Sequence, residues 1–193
     1  MQPAFQIRSL TPDDPMQDLT SMLHRAFSPM GRSGIGCTSY NQSEEMTRQR
    51  AAVGECFVAV VDGRIVGTVT LQSSGRRSDC RWYRQPHVTS LHQFAVDPAY
   101  QGTGIGKGML SHAMEWAREH HFEELALDTP LPAKHLIQFY EAQGFRQVEL
   151  VQFSGRAYVS CVLSLALPMQ HLSERRHHHP APAAKQPLFG TMV

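Results

Sequence analysis

The sequence predicts a mixed α/β domain of about seven strands, in the order strand, two helices, three strands, helix, strand, helix, two strands. Three observations carry this reading. Two β-branched runs flank Asp62-Gly63, a dipeptide suited to a two-residue hairpin turn because both positions need positive φ. Apolar residues at helical spacing follow the glycine-rich stretch 101–108, QGTGIGKG. A closing pair of strands surrounds Ser154-Gly155-Arg156.

Each element has its own signal. Residues 5–9 alternate and read as a first strand. Thr11-Pro12-Asp13-Asp14 supplies helix-start residues. Leu19, Met22, Leu23, Ala26 and Phe27 then keep helical spacing over 16–27, and Pro29 is expected to end that helix. Residues 31–41 form a loop placed to border a substrate pocket, and Ser43 opens a more polar helix running to about Val53. Strands follow at 56–61 and 64–71, then an Arg-rich polar connection at 73–86, then a strand at 88–96 stopped by Pro98. The helix over 105–120 places Ile105, Met109, Leu110, Ala113 and Ala117 on one face, with Lys107, Ser111, Glu115, Arg118 and Glu119 opposite. A short strand at 124–127 precedes a helix at 133–143, where Leu136, Ile137 and Tyr140 are in register and Gly144 marks the end. Strands at 145–153 and 158–167 close the fold.

The 193 residues suit one domain, here 1–168, and 41% apolar content is enough for a core. Residues 169–193 are proline-containing and aperiodic, and are expected to form a flexible tail. His177, His178 and His179 lie in that tail without a second ligand group, so they read as solvated rather than metal-binding. Charged residues make up 18%, against a norm of roughly 25%. The net charge of +1 gives no nucleic-acid footprint and points to small-molecule or local-patch chemistry.

Cys37, Cys56, Cys80 and Cys161 form no CxxC pair and have no histidine at zinc spacing, so they read as free thiols. The N-terminus lacks the apolar region of a secretory signal, and no segment approaches the ~20 residues of a membrane span. The expectation is a cytoplasmic protein, monomer or homodimer, with no metal, membrane or nucleic-acid partner.

The strongest chemical signal is the glycine-rich stretch. Residues without side chains let successive backbone N–H groups converge, and the following helix N-terminus adds partial positive charge, so an anion such as a pyrophosphate fits there. The plainer alternative is a turn that needs glycine for φ alone. Spacing excludes a P-loop, which would need glycine at Gln101 and Ser or Thr at Gly108. A dinucleotide fingerprint fails because Lys107 stands where its last glycine belongs.

The stretch does match Q/R-x-x-G-x-G/A from Gln101 to Gly106, preceded by Phe94-Ala95-Val96-Asp97-Pro98. A second run, Phe139-Tyr140-Glu141-Ala142-Gln143-Gly144-Phe145, supplies Y-x-x-x-G-F downstream. Together these motifs resemble the GNAT N-acetyltransferase superfamily. The resemblance implies a mostly antiparallel twisted sheet with flanking helices, and acetyl-CoA as cosubstrate. It implies that Phe94 and Val96 pair through their backbones with the pantetheine arm. Gln101, Gly102, Thr103, Gly104, Ile105, Gly106 and Lys107 are implied to bind the pyrophosphate, and Val96 N–H to face the thioester carbonyl. Tyr140 matches the family tyrosine that protonates the departing thiolate and closes the cofactor site. Its other reading is a core tyrosine with a satisfied hydroxyl.

His92 lies four residues before Val96, where strand periodicity puts both on one face and family members commonly carry Glu or His as a base. Its other reading is a polar strand residue without catalytic duty. The family often has Asn seven positions before the tyrosine; here that position is Ala133. The function so implied is acetyl transfer to a primary amine in a ternary complex. The alternative is a catalytically silent coenzyme A-binding module. Neither motif identifies the acceptor.

Overall fold

The computed structural model describes residues 3–73 and 78–168. The tail expected at 169–193, with its three histidines, and Arg76 and Arg77 of the basic connection lie outside the described residues. The strands are β1 (Gln6–Ser9), β2 (Glu55–Val61), β3 (Arg64–Gln72), β4 (Val88–Val96), β5 (Glu124–Pro130), β6 (Arg146–Val151) and β7 (Ser160–Ala166). The helices are α1 (Met16–Arg32), α2 (Glu44–Ala51), α3 (Ile105–Glu119) and α4 (Lys134–Glu141). One seven-stranded sheet runs β1-β2-β3-β4-β5-β7-β6. Every pairing is antiparallel except β4 with β5, which α3 joins as a crossover.

The hairpin turn at Asp62-Gly63 has φ of 47° and 76°, the two positive values that the dipeptide predicts. The buried residues of α3 are Ile105, Met109, Leu110, Ala113 and Ala117, the face predicted from spacing. They pack with α4 residues Ile137 and Tyr140 against Leu91, Leu125, Leu127 and Leu163 on one side of the sheet. Leu19, Met22 and Leu23 of α1 cover the other side over Val58, Ile65 and Ala95. Ser43 caps α2 by accepting the Met46 N–H at 3.1 Å.

Two elements run further than their sequence signals. Pro29 lies inside α1, which continues to Arg32. Proline removes one N–H, but the last turn is closed by Ser33 N–H bonding the Pro29 and Met30 carbonyls at 3.2 and 3.1 Å. β5 extends past Leu127 to Pro130 because β7 pairs with it along its whole length. Pro130 sits at the strand end, where a missing donor is tolerated.

Candidate active site

The site begins where two neighbouring strands part. β4 and β5 pair only from Val88↔Glu124 to Leu91↔Leu127. Beyond that, β4 stays with β3 as far as Val96↔Gly67, while β5 stays with β7 as far as Pro130↔Ser160. The gap opens a cleft of about 510 Å³ through the sheet. His92, Phe94, Val96, Gln101, Gly102, Gly106 and Tyr140 all line it.

The glycine-rich turn stands at its mouth. Gly102 and Gly104 have φ of 77° and 91°, so the spacing reflects real backbone demand. The first backbone bond of α3 is Gly108 N–H to Gly104 carbonyl, at 2.9 Å. Among the described residues, the N–H groups from Gly102 to Lys107 have no backbone partner. Asp97 fixes the approach to this turn. It accepts the Ala99 N–H at 3.1 Å and pairs with Arg25 of α1 at 2.5 Å. Thr103 Oγ donates to the Tyr100 carbonyl at 2.6 Å, and Gln101 Nε2 donates to the Val96 carbonyl at 3.1 Å.

A β-bulge reshapes β4. The register against β3 shifts between Thr68 and Thr70, and Gln93 adopts φ +48°. Its side chain is buried and accepts from Gln42 Nε2 at 2.9 Å, which holds the bulge toward α1 and α2. The bulge breaks the period of two. Leu91, Phe94 and Val96 all pack with the α3 face, whereas Ala95 packs with α1. His92 therefore does not share a face with Val96, contrary to the expectation from strand alternation. Both still reach the cleft, because it passes through the sheet. Asp97 N–H bonds the Val66 carbonyl at 2.8 Å, so alternation turns the N–H groups of Val96 and Phe94 to the open edge.

Tyr140 is buried among Phe94, Phe139 and Phe145, with ring centroids at 6.5, 5.2 and 5.7 Å. Burial, reinforced by the Asp128 charge, pushes its phenol well above the ordinary value, so it stays protonated near neutrality. No protein group among the described residues takes its hydroxyl, which sets it apart from a satisfied core tyrosine. His92 places Nε2 2.8 Å from Ser90 Oγ and meets the Tyr83 ring edge-on at 5.8 Å. Burial pushes its pKa down to about 4; Asp128 opposes this, while Arg50 and Arg156 add to it.

Sequence reasoning missed the charged groups around His92. Asp128 accepts from Ser160 Oγ at 2.9 Å and Tyr83 hydroxyl at 3.3 Å, and pairs with Arg156. Arg50, from the last turn of α2, also lines the cleft. The available signals were a lone carboxylate ending the apolar run of β5 and an arginine in the closing turn. Among the described arginines of the basic connection, Arg81 and Arg84 are exposed and absent from the cleft wall. Cys37, Thr38 and Ser39 bring the early loop to the cleft wall. Ala133 is buried at the start of α4 and offers no polar side chain. All four cysteines are free. Among the described residues, no group of three or more His, Cys, Asp or Glu side chains could hold a metal ion, and no helix is long and apolar enough to cross a membrane.

The fold is shared with solved acetyltransferases. The ribosomal-protein-S18-alanine N-acetyltransferase of Escherichia coli gives a TM-score of 0.65 at 18% identity, over 89% of this chain and 99% of that one. A GNAT family acetyltransferase from Elizabethkingia anophelis, solved with acetyl-CoA bound, gives 0.60 at 19% identity over 84% and 98%. The chain belongs to the acetyltransferase (GNAT) family, whose model matches residues 17–145. An uncharacterized N-acetyltransferase of Methanocaldococcus jannaschii is 31% identical over 151 residues. That match takes in 77% of this chain and spans 63% of the relative's length.

Proposed function

We propose that the protein is an acetyl-CoA-dependent N-acetyltransferase that moves the acetyl group to a primary amine while both substrates are bound. The observation that carries this is the row of unpartnered amides from Gly102 to Lys107, at a helix N-terminus, beside the same cleft that Tyr140 lines. These amides suit a pyrophosphate; the Gln101 N–H, expected to join them, is taken by the Pro98 carbonyl at 3.4 Å, and the Thr103 hydroxyl proton by the Tyr100 carbonyl. The open edge of β4 at Phe94 and Val96 suits a pantetheine arm laid along it as an extra strand.

Acetyl-CoA supplies the acetyl group as an activated thioester. Val96 N–H receives the charge that develops on the carbonyl oxygen as the amine nitrogen bonds to the carbon. Tyr140 hydroxyl gives its proton to the sulfur as the carbon–sulfur bond breaks. A primary ammonium loses two protons on becoming an amide N–H. One restores Tyr140, and the other leaves to solvent through His92. The neutral imidazole that burial enforces on His92 is the form this step needs.

The test is release of coenzyme A thiol across a panel of amines. Release should require both substrates. Tyr140→Phe should lower kcat by about 10²- to 10³-fold with acetyl-CoA affinity kept. A burst of thiol without amine would contradict direct transfer, and unchanged kcat would remove Tyr140 from the mechanism.

A further inference from the structure

The part of the cleft around His92 carries an imbalance of charge. Two guanidiniums, Arg50 and Arg156, line it together with one carboxylate, Asp128. Asp128 is committed to Arg156, which also stands over the Phe153 ring at 4.5 Å. Arg50 has no carboxylate partner among the described residues. Its Nη1 donates to two neutral oxygens, Ser39 Oγ at 2.9 Å and Gln42 Oε1.

Gln42 is itself held firmly. Its Nε2 donates to Thr47 Oγ1 at 2.7 Å and to Gln93 Oε1 at 2.9 Å. Arg50 is thus fixed to the buried network that holds the β4 bulge. The Nε and Nη2 edge of the same guanidinium has no partner among the described residues, and neither atom is sealed from solvent without one. Two parallel N–H donors on one planar edge match a carboxylate. A half-buried cation in this setting gains most from an anion brought by a ligand.

We infer that the acceptor is an amine carrying a carboxylate, and that Arg50 binds that carboxylate through its free edge. This rests on the acetyltransferase reading above. It also bears on His92: a carboxylate on Arg50 offsets one of the positive charges that depress the imidazole, making it a better base only when the acceptor is bound.

The experiment pairs each of a panel of α-, β- and γ-amino acids and dipeptides with its own carboxamide, with polyamines alongside. kcat/KM for coenzyme A release is measured, and acetyl-CoA binding is measured separately by calorimetry. The carboxylate member should be preferred by about 10- to 100-fold, the scale of a charge-assisted bidentate pair. Arg50→Gln and Arg50→Lys should both collapse that ratio. Because the ratio compares two substrates on one preparation, a reduced folded fraction cancels. Equal use of carboxamides, best turnover on polyamines, or an unchanged ratio in both variants would overturn the inference alone; no turnover on any member despite acetyl-CoA binding would overturn it together with the acetyltransferase reading. Absence of acetyl-CoA binding would overturn the acetyltransferase reading and this inference with it.

Discussion

At the scale of single residues, the site divides by how each group is positioned. Tyr140 and the glycines were legible because each lies in a short motif whose members are close in sequence. Asp128, Arg50 and Arg156 were not, because β5, α2 and the closing turn bring them together only in the folded chain. Their effect on His92 sets a pH prediction. Burial lowers the imidazole pKa to about 4, so the free enzyme holds it neutral above about pH 5 and protonates it only as pH falls through 4. The acidic limb of kcat/KM should therefore centre near 4 rather than near the ordinary 6.5, and His92→Ala should remove it. Circular dichroism at each pH separates this from unfolding. A limb centred near 6.5, or one untouched by the substitution, would assign the base elsewhere.

At the scale of elements, hairpins and amphipathic helices were readable because local chemistry decides them. Asp62-Gly63 needs only its two positive φ values, and α3 needs only its apolar stripe. The bulge at Gln93 left no local trace. A buried glutamine becomes informative only when Gln42 is seen to bond it. That one inserted residue decides which β4 side chains face α1 and which face α3, so the face assignment for His92 failed there. α2 is a short, mostly polar helix with Ser43 as its side-chain cap, and it delivers Arg50 to the cleft. Ser43→Ala should cost about 1 kcal/mol and lower Tm by about 2–4 °C. A melting curve unchanged within error would show that the cap contributes nothing to α2.

At the scale of the molecule, one topological fact creates the site. An antiparallel sheet interrupted by a single parallel pair lets β4 and β5 part after four residue pairs. The crossover helix that the parallel pair requires starts at the glycine-rich turn. The splay, the open edge at Phe94 and Val96, and the amides of residues 102–107 are therefore parts of one arrangement. The order of elements along the chain was legible, and with it the two hairpins. The splay was not, because it depends on which strand each partner follows beyond Leu91 and Leu127. If this arrangement binds acetyl-CoA, titration calorimetry of the folded protein with acetyl-CoA reads the binding without reference to the acceptor. The expected result is one site with a Kd on the order of micromolar, about −8 kcal/mol. No heat of binding from protein whose circular dichroism shows an intact fold would contradict it.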